Sequence, residues 1–167
     1  MGVAGSGKTT IGTALAERLR LPYADAESFH PEANVAKMRA GHPLDDADRM
    51  PWLQAVGAWL AGYPDGGIVS CSALRHGYRD LLRSYARDAE FLHLTGDASV
   101  ITARVAARTD HFMPASLVSS QLELLEPLGS DEAGVVADLT RPVTDLVDEF
   151  SDHFRRATAA ATKGDPR

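Results

Sequence analysis

The opening "MGVAGSGKTT" contains Gly2, Gly7, Lys8 and Thr9 in the order G-x-x-x-x-G-K-T, which is the spacing of a phosphate-binding loop. Gly2, Gly5 and Gly7 let the backbone curl, so that N–H groups of Val3, Ala4, Gly5, Ser6, Gly7, Lys8, Thr9 and Thr10 can converge on phosphate oxygens. A helix starting at the end of the loop adds positive potential at its N-terminus. Lys8 offers a cation to the β- and γ-phosphates of ATP, and the Thr9 hydroxyl offers an oxygen ligand to Mg²⁺. The next chemistry-bearing stretch is "YADAESFHP". Asp25 and Glu27 alternate with Ala26, so in an extended strand they share a face, directed at the loop. Phosphoryl transfer needs positioned Mg²⁺, positive groups on the migrating phosphoryl and something to orient the attacking hydroxyl. One carboxylate of such a pair can hold metal-bound water while the other accepts the acceptor's proton. A solvated acidic turn is the alternative reading of these two residues.

These groups need elements to hold them. Short apolar runs at "LPYAD", "GGIVSCS", "EFLHLTG" and "AGVVADL" read as strands, each bounded by Gly, Pro or charge. Helices are expected over Thr9–Leu19, Pro31–Ala40, Ala47–Ala61, Tyr78–Arg87, Ala98–Ala107, Ala115–Leu125 and Val143–Thr158. Asp97 suits an N-cap, and Pro142 the first turn of the last helix. Strands alternating with helices imply an α/β domain with a mostly parallel sheet covered on both faces. In such sheets ligands sit beyond the carboxyl ends of the strands. A phosphate loop normally follows a central strand, yet only Met1 precedes Gly2. The expectation is that the native protein carries several more apolar residues upstream. Without them the sheet is expected to be gapped, to borrow a strand, or to be weakly stable.

Composition narrows the class. The 167 residues fit one domain, 44% hydrophobic and 24% charged, with no run of about 18 apolar residues. A formal charge of −6 speaks against a nucleic-acid partner, whose backbone is held by clustered Lys and Arg. No basic, apolar signal opens the chain, and the single Cys71 makes no internal disulfide, which suits a cytoplasmic protein away from membranes. Cys71 reads as a small apolar filler. The tail, about 159–167, is small and polar and is expected to fray.

The stretch "FHPEANVAKMRAGHPLDDADRMPWL" resembles the signature of the gluconokinases, small P-loop kinases that phosphorylate D-gluconate on its 6-hydroxyl with ATP. "CSALRHGYRDLLR", "ARTDHFMPASLVSSQLELLEP" and "VVADLTRPV" resemble the same family in the same order, from Gly2 to about Val147. The resemblance implies a three-layer αβα P-loop kinase fold over 1–167, with a helical lid at about 104–126, and a homodimer. It implies that Asp25 organises Mg²⁺ and that Glu27 faces the attacking hydroxyl, with Lys8 as the third catalytic group. His30, Arg49, Arg75 and Arg79 would bind gluconate, the arginines as forks for its carboxylate and polyol. Arg108 would lie over ATP and His111 near the substrate. Plainer readings stand beside these. Arg79 could pair with acids on a helix surface, His30 could shape a helix entry, and Trp52 could be core or pocket wall. Glu27, Arg75 and Asp110 stand where the family usually has Asp, Lys and Gly. Two alternatives are a shikimate-kinase-like enzyme, a family that lacks the long signature, and a non-catalytic nucleotide-binding regulatory module.

Overall fold

The computed structural model describes the backbone of residues 1–107 and 116–163, and side chains within them except 116 and 157–163. Arg108, Asp110 and His111 fall outside the described residues.

Seven helices and four strands alternate among the described residues: α1 (Lys8–Leu19), β1 (Tyr23–Asp25), α2 (Glu32–Arg39), α3 (Asp46–Ala61), β2 (Ile68–Ser70), α4 (His76–Tyr85), β3 (Phe91–Thr95), α5 (Ala98–Ala106), α6 (Ser116–Leu124), β4 (Gly134–Asp138) and α7 (Val143–Lys163). A single 3₁₀ turn, Ala26–Phe29, separates β1 from α2. β1 pairs parallel with β2, Tyr23 opposite Ile68, and β3 pairs parallel with β4, Phe91 opposite Gly134. Met1 and Gly2 join these two pairs. Gly2 N–H donates to Ser72 O just past β2, and Leu94 N–H of β3 donates to Met1 O. The Met1 amine also donates to Leu92 O. Met1 and Gly2 thus lie between the β1–β2 and β3–β4 pairs, at the carboxyl ends of the strands.

Apolar side chains divide into two layers about that sheet. Ile11 and Leu15 of α1 pack with Leu94, Ala137 and the α7 residues Leu146, Val147 and Phe150 on one face. Trp52, Leu53 and Val56 of α3 pack with Cys71, Tyr78, Leu82 and Phe91 on the other. At about 25 cal/mol per Å² of apolar surface, such burial dominates the stability of the fold. No helix among the described residues is long and apolar enough to cross a membrane.

Local details depart from sequence expectation. β1 stops at Asp25, and its carboxylate Oδ1 accepts from Glu27 N–H at 3.1 Å as the cap of the 3₁₀ turn. Glu27 is thus carried by a tight turn and not by an extended strand. Asp97 occupies the N-cap of α5 but makes no side-chain cap bond. Helix α7 continues to Lys163, through part of the stretch expected to fray.

Candidate active site

Three glycines with positive φ shape the phosphate loop: Gly2 at 135°, Gly5 at 84° and Gly7 at 94°. At Gly5 a Cβ would lie 2.6 Å from Val105 Cγ2, so close packing against α5 adds to the conformational demand. Gly7 is the N-cap of α1 and makes no side-chain cap bond, which leaves the first-turn N–H groups directed at whatever anion enters the loop. Lys8 Nζ donates to Val3 O at 2.9 Å, folding its cation back over the cradle. The Thr9 hydroxyl donates to Asp25 Oδ2 at 2.8 Å. Thr9 and Asp25, distant in sequence, are two hard oxygen donors side by side, a set suited to Mg²⁺. Tyr23 OH, Ser70 Oγ and Lys8 O form a chain at 3.0 and 2.8 Å that fastens the first turn of α1 to the sheet.

Beside the loop lies a small cleft whose wall includes Glu27, His30, Arg49, Trp52, Ser72 and Gln121. Glu27 Oε2 has no hydrogen-bond partner among the described residues. Burial raises the Glu27 pKa above the usual carboxylate range, while Lys8 and Arg49 pull it back. A carboxylate of heightened basicity with an open lone pair suits accepting a proton from a bound alcohol. His30 stacks on Trp52, ring centroids 4.3 Å apart, and its Nε2 lies 3.8 Å from Glu27 Oε2. Asn34 Nδ2, which can only donate, lies 3.4 Å from His30 Nδ1 and holds that nitrogen as acceptor, so the ring N–H faces Glu27. Burial, helped by Arg49, lowers the His30 pKa to about 4, leaving it neutral near pH 7. Trp52 meets both earlier readings: it is 1% exposed, its Nε1 donates to Ala26 O at 2.7 Å, and it lines the cleft.

The three candidate arginines separate. Arg49 is 7% exposed, and its Nε donates to Leu44 O at 3.2 Å. Among the described residues no hydrogen bond takes its terminal nitrogens, which leaves the fork for a ligand. A capping box presents it: Asp45 accepts from Asp48 N–H, Asp48 accepts from Asp45 N–H, and Lys37 of α2 pairs with both carboxylates. Arg75 instead donates from Nη1 to both oxygens of Asp46, at 3.1 and 2.9 Å, and lies outside the lining of the cleft. Arg79 corrects the expectation outright. It is fully buried, Nε and Nη2 grip Glu132 at 2.6 and 2.7 Å, and its other donors go to Ala73 O, Glu126 O and Pro127 O. Nothing of it is left for a sugar acid. The surface-pair alternative is equally mistaken, because the pair lies in the interior.

Sequence reasoning passed over Asn34 and Gln121. Gln121 is a polar residue on the buried side of α6, one turn beyond Leu117, which was the available signal.

Comparisons with known proteins agree with this geometry. The family model described as shikimate kinase matches residues 4–154. A gluconokinase of Gluconobacter oxydans is 41% identical over 160 residues, spanning 93% of this chain and 89% of that protein. The chain belongs to the gluconokinase family. Solved gluconokinase relatives include a structure from Sinorhizobium meliloti, 41% identical with a TM-score of 0.87, covering 99% of this chain and 95% of that one. An unliganded sugar kinase from a Janibacter species is 46% identical with a TM-score of 0.86, covering 90% and 88%. The αβα P-loop kinase architecture read from the sequence is the fold of this gluconokinase-family chain.

Proposed function

We propose that this protein transfers the γ-phosphoryl group of ATP to the 6-hydroxyl of D-gluconate. The observation that carries the reading is the cleft beside the phosphate loop. It combines an open-valence, desolvated Glu27 with the unspent guanidinium fork of Arg49. A fork of that kind suits the sugar acid's carboxylate, and a basic carboxylate suits its terminal alcohol. Similarity over about nine-tenths of the chain to proteins named gluconokinase supports the choice of acid.

The reaction in this reading is an in-line displacement. The alcohol oxygen forms its bond to the γ-phosphorus, the bond to the β–γ bridging oxygen breaks, and ADP leaves. Glu27 receives the alcohol's proton. Lys8 moves from Val3 O to the phosphates, and the N–H groups of residues 5–10 hold the polyphosphate. The Thr9 hydroxyl and the Asp25 carboxylate would hold Mg²⁺, which when bound would supply charge neutralisation for the polyphosphate. His30, neutral and fixed between Asn34 and Trp52, keeps its N–H toward Glu27 and the entering polyol. Arg108 over ATP and His111 on the substrate side complete the proposal, with a homodimer acting in the cytoplasm.

The test is ADP release with ATP, Mg²⁺ and gluconate, against shikimate as control because the matching family model bears that name. Gluconate-dependent turnover with a phosphorylated sugar acid as product is the expected result. Turnover on shikimate alone, or ATP binding with no acceptor-dependent turnover, would reject it.

A further inference from the structure

The amide of Ala4 does not point into the phosphate cradle. It donates to Gln121 Oε1 at 2.7 Å, a contact between residues 117 positions apart. Gln121 is 9% exposed and also forms part of the cleft wall. One side chain therefore touches the loop that holds the donor and the pocket proposed for the acceptor.

Helix α6 is built to hold that side chain still. Leu117 packs with Met38 and Leu44, a cluster that also takes the Ala4 methyl group, and Val118 is buried with the α1–α7 layer. Beyond its last turn, Glu126 N–H donates to Leu74 O at 2.7 Å and its carboxylate accepts from His76 N–H at 2.6 Å. Arg79 then grips the carbonyls of Glu126 and Pro127. A polar side chain on so anchored a helix is costly to bury unless it is hydrogen-bonded, and its carbonyl accepts from a backbone amide of the loop.

We propose that Gln121 is a positioning residue that registers the phosphate loop against the acceptor pocket, its carbonyl tying down the Ala4 shoulder while the same side chain walls the cleft. Ala4 N–H is then a loop brace and not a phosphate donor, which revises its expected place among the nucleotide contacts. The inference rests on the gluconate reading above. A displacement of about 1 Å between reacting groups costs on the order of a hundredfold in rate, so loss of registry should appear in turnover before it appears in nucleotide affinity.

Gln121→Met keeps the volume and removes the acceptor; Gln121→Glu keeps an acceptor oxygen at the same reach. For Gln121→Met we expect kcat to fall about tenfold or more, ADP affinity to change less than threefold, and ADP release to outrun sugar-acid phosphorylation. Gln121→Glu is expected to keep the one-to-one ratio of ADP to phosphorylated product. A Gln121→Met enzyme with parental kcat and ratio overturns the inference, as does a Gln121→Glu enzyme uncoupled to the same extent. Losses in kcat that merely track losses in ADP affinity and melting temperature overturn it too, and if Gln121→Met does not fold, the ratio measured on Gln121→Glu decides alone. A parent protein with no turnover on gluconate rejects the function reading and this inference together; an active parent matched by its variants rejects this inference only.

Discussion

Five N–H groups leave the guanidinium of Arg79, and the acceptors around it are the buried Glu132 carboxylate and three backbone carbonyls, those of Glu126 and Pro127 only partly buried. Its partner Glu132 is held down at a pKa of about 2 by that contact. Arg79→Ala would leave the buried Glu132 carboxylate with Gly129 N–H at 2.9 Å and a looser Arg83 at 3.7 Å, so a loss of about 3–5 kcal/mol is expected in urea unfolding. The gluconate KM of whatever fraction stays folded should be unchanged. Arg49→Ala should do the reverse, raising that KM with little change in unfolding midpoint. Single residues were unevenly legible in the sequence. Lys8, Thr9 and Asp25 could be read because their partners follow from a short loop and a strand end. Arg79 could not, because Glu132 lies 53 positions away and only the folded chain brings it near.

At the scale of elements, the four strands and seven helices of the described residues were visible as periodicity, and their ends shifted by a few residues. What escaped was the short 3₁₀ turn Ala26–Phe29, since alternating polar and apolar residues look the same in a strand and in the turn that ends it. The consequence falls on Glu27, which owes its place to a cap bond from its own backbone to Asp25. A second element-level feature is the seam between α1 and β2. A Cβ at Gly12 would lie 2.5 Å from Ser70 Oγ and 2.8 Å from Tyr23 Cε2. Gly12→Ala should therefore lift α1 from the sheet, costing about 1–3 kcal/mol, and weaken ADP binding because the loop leads into that helix. Urea unfolding and ADP titration measure the two effects, and an unaltered ADP affinity would show that the helix and loop move independently.

For the whole molecule, acid is the informative stress. His30 and His93 are both lowered to about 4 from 6.5, chiefly by burial, with Arg49 acting on His30 and the Met1 amine and Arg79 on His93. Each takes up a proton more readily unfolded than folded, so stability is full above about pH 6.5 and declines as pH falls toward 4. The Arg79–Glu132 pair adds a second decline, from the ordinary Glu value of 4.5 down toward 2. Melting temperature followed from pH 7 to 3 should show the first decline. His93→Leu should shallow it, since both His93 ring nitrogens are buried without a partner among the described residues.

One further property comes from the position of Cys71 at the sheet. The chain has no other cysteine, and this one is 5% exposed, its thiol pushed up to about 11 by burial. A sealed, protonated sulfur cannot react with thiol reagents until the layers around it part. The enzyme thus carries its own clock: the rate at which an aromatic disulfide labels it counts how often the interior breathes open, and saturating ATP should slow that tally if nucleotide tightens the fold.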